Sequence, residues 1–103
     1  MVEVPAPVSP DSVITVPQRD GEQIDHASPV PFYEQLAVIL RREITSGRMP
    51  PGKIEGGEDG LARRYGVSRP TARRALDELK AEGLVATSRS KGTYVLRQED
   101  RPR

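Results

Sequence analysis

With 103 residues, ten prolines and no cysteine, the chain has material for one small core and cannot form a disulfide or a thiolate metal site. Its net charge of +1 conceals a split: residues 1 to 29 hold five acids against Arg19, a net −4, residues 30 to 97 hold thirteen Lys or Arg against eight acids, a net +5, and residues 98 to 103 balance. No apolar run approaches the roughly 20 residues that span a bilayer, and the first residues are acidic where a secretory signal is basic, so a soluble, cytoplasmic protein without membrane association is expected.

Residues 1 to 29 carry Pro5, Pro7, Pro10, Pro17 and Pro29 and show no helical period. A flexible acidic lead is the expectation, because proline interrupts helices and sheet ladders alike; a short strand over 12 to 16 is the alternative. This lead could fold back on a basic face and compete with nucleic acid, or serve only as an inert tail. His26, the one histidine, reads as a solvated linker residue and cannot form a metal site alone.

Folded structure is expected over residues 30 to 97. Tyr33, Leu36, Ala37, Leu40 and Ile44 recur at spacings of three and four, which gathers them along one side of a helix that stops before Gly47. Phe32 and Ile39 flank the stripe, and Val38 points almost opposite. The segment Arg48-Met49-Pro50-Pro51-Gly52 cannot continue the helix, since proline lacks the amide donor and clashes with the preceding turn. Lys53 to Glu55 could form a short strand before the break at Gly56 and Gly57.

A second helix is predicted from about Glu58 to Tyr65, burying Leu61, Ala62 and Tyr65. Glu58 and Asp59 suit its positive end, whereas Gly60 works against it, an interior glycine costing roughly 0.5 to 1 kcal/mol relative to alanine. Gly66 is placed to end this helix in a left-handed conformation, and Val67 can drop between two helices. Ser68 can cap a third helix, with Pro70 at its second position, where a missing amide is harmless. In that third helix Ala72, Ala75, Leu76 and Leu79 share about one hundred degrees of arc, and Arg69, Arg73 and Arg74 rotate into solvent. Gly83 stops it. Leu84 to Thr87 and Thr93 to Leu96 then read as two strands joined through Ser88 to Gly92, followed by a charged tail over 98 to 103.

The order helix, tight turn, arginine-rich helix, hairpin predicts an α+β fold, a three-helix winged helix-turn-helix with a small antiparallel β-hairpin wing. An arginine cluster is often no more than a solvated face, but this spacing places Arg69 and Arg73 four apart near the start of the presumed recognition helix. Each guanidinium can make a two-pronged contact with guanine O6 and N7, worth roughly 1 to 3 kcal/mol against a wrong base. Ser68 and Thr71 can bond phosphate or brush a thymine methyl, and Arg74 suits the backbone better than bases. Arg63 and Arg64 could reach phosphate from the second helix. Arg89 and Lys91 sit at the hairpin turn, where Gly92 allows tight curvature and Thr93 can add a phosphate bond, so the tip could enter a minor groove or ride on phosphates. With four aromatic residues, a base-stacking surface for single strands is disfavoured.

Residues 31 to 96 resemble the winged-helix DNA-binding domain of the GntR family of bacterial transcription regulators. The resemblance rests on Pro-Phe-Tyr-Glu-Gln-Leu, Leu-Arg-Arg-Glu-Ile-Thr-Ser-Gly-Arg-Met-Pro-Pro-Gly, Leu-Ala-Arg-Arg-Tyr-Gly-Val-Ser-Arg-Pro-Thr-Ala-Arg-Arg-Ala-Leu, Glu-Gly-Leu-Val and Lys-Gly-Thr-Tyr-Val. It implies a cytoplasmic protein that binds a two-fold symmetric operator as a homodimer, often as a repressor. It assigns operator contact to Arg69, Thr71 and Arg73, and wing positions to Lys91 and Gly92. Two departures stand out. The usual Leu-Pro-Ser-Glu before the second helix is Glu55-Gly56-Gly57-Glu58, with Asp59 where a basic residue often contacts DNA, and the first glycine of the usual wing Gly-x-Gly is Ser90. Family members usually continue into a C-terminal effector and dimerisation domain. Here residues 96 to 103 follow, which reads either as a DNA-binding fragment or as a minimal regulator whose small-molecule effector is unknown.

The function expected is sequence-specific double-stranded DNA binding in transcription regulation, repressor-like. The competing reading is a winged-helix protein-interaction module, with the acidic lead and the Val38 and Ile39 face carrying function. No enzyme is expected, since no nucleophile is paired with histidine, no carboxylate cluster suggests a metal, and no cofactor motif is present.

Overall fold

The computed structural model describes residues 23 to 102. The alternative strand over 12 to 16 and most of the acidic lead lie outside the described residues.

Helix α1, Phe32–Thr45, follows from its apolar stripe: Leu36, Ala37, Ile39, Leu40 and Ile44 are buried, and Val38 is among the most exposed large hydrophobic residues. Tyr33, expected on that stripe, is half-buried, because it lies at the first turn where the helix leaves the core. Glu43, which no apolar period selects, is buried, with Arg48 Nε 3.5 Å from its carboxylate. Ile24 is also buried in the core, although its segment offers no pattern to announce it. Gln35 explains the docking: its side-chain amide donates to the carbonyls of Asp25 and Val30, and its oxygen accepts from the Asp25 amide at 2.7 Å. His26 is exposed and meets Phe32 edge-on, ring centroids 4.9 Å apart.

After Pro50 and Pro51, strand β1, Gly52–Lys53, pairs antiparallel with β3. Helix α2, Gly57–Tyr65, buries Leu61 and Ala62. Gly60 is not merely a weak helix former here. A Cβ built on it would lie 2.6 Å from the Glu55 carbonyl oxygen, so the missing side chain is what lets the chain enter α2 so tightly. At the far end Gly66 takes φ 69°, the left-handed conformation that turns the chain toward α3.

Helix α3, Arg69–Ala81, is the centre of the fold, packing on both α1 and α2. Ala72, Ala75, Leu76 and Leu79 form its buried face. The alanines let the helices approach closely, and Leu76 and Leu79 fill the space between them. Strands β2, Val85–Ser88, and β3, Gly92–Val95, form the wing, with Ser88 opposite Gly92 and Arg89, Ser90 and Lys91 in the turn. The hairpin is thus part of a three-stranded antiparallel sheet of order β1-β3-β2. Val85 and Val95 seal it to the helices, while Leu84, Tyr94 and Leu96 are only half-buried. A short 3-10 turn at Gln98–Asp100 follows.

Candidate nucleic-acid interface

The first turn of α3 is fixed by its cap. The Ser68 hydroxyl accepts from the Thr71 amide at 3.2 Å and donates to the Thr71 hydroxyl at 2.9 Å. Ser68 is extended, at φ −73° and ψ 159°, and Pro70 follows at the second helical position. The cap satisfies one of the free amides of the helix start and sets the direction in which Arg69 and Arg73 leave the helix. Both are exposed, their side chains 64% and 57% accessible, so this end of α3 presents cations rather than burying them.

Neither arginine stands alone. Arg73 Nε and Nη2 donate to the two carboxylate oxygens of Glu58 at 3.0 and 3.2 Å. These hydrogen bonds, with the charge of Arg73, hold the Glu58 carboxyl below the usual carboxylate range, and the same bonds raise the Arg73 guanidinium. Arg69 Nε lies 3.9 Å from Asp59 Oδ1, and the other oxygen of Asp59 takes Arg63, one turn further along α2. The start of α2 therefore sits against the start of α3 through carboxylates.

Arg74 leaves the helix in a different direction. Its guanidinium lies over the Tyr33 ring, 3.8 Å from the centroid, with Nη2 donating to the Tyr33 hydroxyl at 3.2 Å. Stacking on an aromatic face restrains a long cation while leaving other donors available. Arg64 is exposed and lies 5.3 Å from the ring centroid of Tyr65.

At the wing, Arg89 and Lys91 are exposed in the turn beside Ser90. The Ser88 hydroxyl accepts from the Lys91 amide at 3.0 Å, and Gly92 opens β3 at φ 72°. Thr93 faces Thr87 across the pair, their hydroxyls 3.2 Å apart. Lys91 Nζ lies 5.8 Å from the Tyr94 ring, near enough to be drawn back along the strand.

The expected residues therefore form three groups: Ser68, Arg69, Thr71 and Arg73 on the first turns of α3, Arg63 and Arg64 on α2, and Arg89, Lys91, Gly92 and Thr93 on the wing, with Arg74 on the α1 side. What sequence spacing misses is the set of partners. Glu58 is fifteen residues from Arg73 and Tyr33 is forty-one from Arg74, separations no local period reports. Among the described residues no group of His, Cys, Asp or Glu is arranged to hold a metal, and no helix is long and apolar enough to cross a membrane.

Three helices with a capped, cationic α3 and an antiparallel wing define a winged helix-turn-helix domain. A family model described as "Bacterial regulatory proteins, gntR family" matches residues 32–95. The chain belongs to the GntR family, and this region is its winged-helix DNA-binding domain. It is 36% identical over 72 residues to the HTH-type transcriptional repressor NagR of Bacillus subtilis (strain 168), covering 70% of this chain and 30% of that protein. Its fold matches YtrA from Sulfolobus acidocaldarius, a GntR-family transcription factor, with a TM-score of 0.66 and 28% identity over 75% of this chain and 81% of that one. AraR(DBD), solved in complex with operator ORE1, matches with a TM-score of 0.58 and 34% identity over 64% of this chain and 80% of that one. The matched region spans about 30% of the length of the curated relatives.

Proposed function

We propose that this chain binds double-stranded DNA sequence-specifically and regulates transcription in the manner of a repressor. The observation that carries the reading is the Ser68-capped start of α3, which exposes Arg69 and Arg73 one helical turn apart on the surface opposite the core. In a major groove those two guanidiniums read guanine edges, and the Thr71 methyl brushes a neighbouring base. Ser68, Arg74, Arg63 and Arg64 hold phosphates on either side, and Arg89, Lys91 and Thr93, with the bend at Gly92, bring the wing to the adjacent backbone or minor groove.

Domains of this kind read half-sites, so a two-fold symmetric operator and a homodimer on DNA complete the reading. The action is binding without catalysis, in the cytoplasm, where bacterial DNA lies. The named DNA-binding and repressor relatives support it.

Selection of the full chain on random duplexes tests the proposal. An enriched sequence repeated with two-fold symmetry is expected. Absence of enrichment overturns specific binding and favours a protein-interaction role, while a single unpaired half-site overturns dimeric recognition.

A further inference from the structure

Two consecutive carboxylates lie among the arginines of the proposed DNA surface. Glu58 and Asp59, on the first turn of α2, each approach the Nε edge of an arginine on α3: Glu58 takes Nε and Nη2 of Arg73 at 3.0 and 3.2 Å, and Asp59 Oδ1 lies 3.9 Å from Arg69 Nε. A guanidinium has five donors in one plane, and a carboxylate on its Nε side leaves the terminal nitrogens of the other edge available. That remaining edge is the one that matches the paired acceptors of guanine.

We infer that Glu58 and Asp59 are positioning residues for base recognition: Glu58 holds Arg73 by two hydrogen bonds on its Nε edge, and Asp59, which also bonds Arg63, draws the Nε edge of Arg69 by charge at 3.9 Å, so that the terminal edges are left for bases. The inference rests on the DNA-binding reading above. Two consequences follow from the charges. A restrained arginine loses less side-chain freedom when it meets a base, which favours a matched site. The same carboxylates repel phosphate, so binding that uses only the backbone is weakened at every sequence. The first effect widens the gap between matched and unmatched DNA; the second lowers binding to both and leaves the gap as the first sets it.

The test uses the full chain as Glu58→Gln, Asp59→Asn and the double variant. Binding is measured on the duplex enriched by selection and on a shuffled duplex of equal length, at two salt concentrations. Circular dichroism and thermal melting confirm that each variant is folded. A Glu99→Gln/Asp100→Asn variant adds the same two units of positive charge away from the α2 and α3 starts.

The inference predicts tighter binding of the shuffled duplex, unchanged or weaker binding of the selected one, and a ratio lowered about fivefold or more, the lower bound for a lost bidentate contact. The charge control should leave the ratio near that of the unmodified chain. Equal tightening on both duplexes, or greater tightening on the selected one, overturns the inference, because the acids would then be simple competitors for the arginines. Failure of the unmodified chain to enrich any sequence would instead overturn the DNA-binding reading itself.

Discussion

At the scale of single residues, the structure turns several ordinary surface charges into partners with defined jobs. Arg41 of α1 forks onto Glu82 at the end of α3, with bonds of 2.7 and 2.5 Å, and these hydrogen bonds hold the Glu82 carboxyl below its usual range as Arg73 does for Glu58. A carboxylate whose folded pKa is lowered adds stability above its unfolded pKa and loses it as pH falls through the folded value. Thermal midpoints should therefore fall as pH drops from the ordinary glutamate range through the lowered folded value, and Glu82→Gln should flatten part of that fall; an unchanged profile in the variant would contradict the assignment. Gly60 gives a prediction opposite to helix propensity. Alanine is the better helix former by roughly 0.8 to 1 kcal/mol, yet its Cβ would press on the Glu55 carbonyl, so Gly60→Ala should destabilise the domain by about 1 to 3 kcal/mol in urea unfolding.

At the scale of elements, α3 does two tasks at once. Its inner face is the centre of the core, and truncation of the fully buried Leu79 to alanine should cost about 2 to 5 kcal/mol in denaturant unfolding. Its outer face carries the arginines. On the proposed reading the wing acts by charge at the end of a short sheet, so Lys91→Ala should weaken many DNA sequences by a similar factor and lower the salt slope by about one, as filter or fluorescence titration would show. A loss confined to one sequence would mean that Lys91 reads bases.

The helices, the capped turn and the wing were legible in sequence because each depends on local chemistry: the three-and-four spacing of α1, Gly66, Ser68 and Pro70 around the turn, and the Gly83 stop followed by two short apolar runs on either side of Ser88 to Gly92. Less legible was whatever depends on distant approach. The pairing of β1 with β3, the burial of Ile24 beside α1, the Tyr33 platform under Arg74 and the room Gly60 leaves for Glu55 join segments with no shared period. The exposed arginines could be located by rotation around α3, but not the carboxylates that hold them.

At the scale of the molecule, the described residues form a small helical core whose central helix also faces outward. Rigidity of that core and cation placement are therefore coupled: Leu76 and Leu79 hold the helix that aims Arg69 and Arg73. The whole chain is nearly neutral, while residues 30 to 97 are basic and residues 1 to 29 acidic, so on the proposed reading attraction to DNA is local and should fade with salt faster than the net charge of +1 suggests. The central claim is that the arginines on the first turns of α3 read bases. Its most direct test is base-by-base comparison of duplex selection with the full chain and with Arg73→Ala. The account predicts that the variant stays folded and loses preference at one position in each half-site, by about 1 to 3 kcal/mol, while the remaining positions keep theirs. An unchanged preference profile in the folded variant would contradict it.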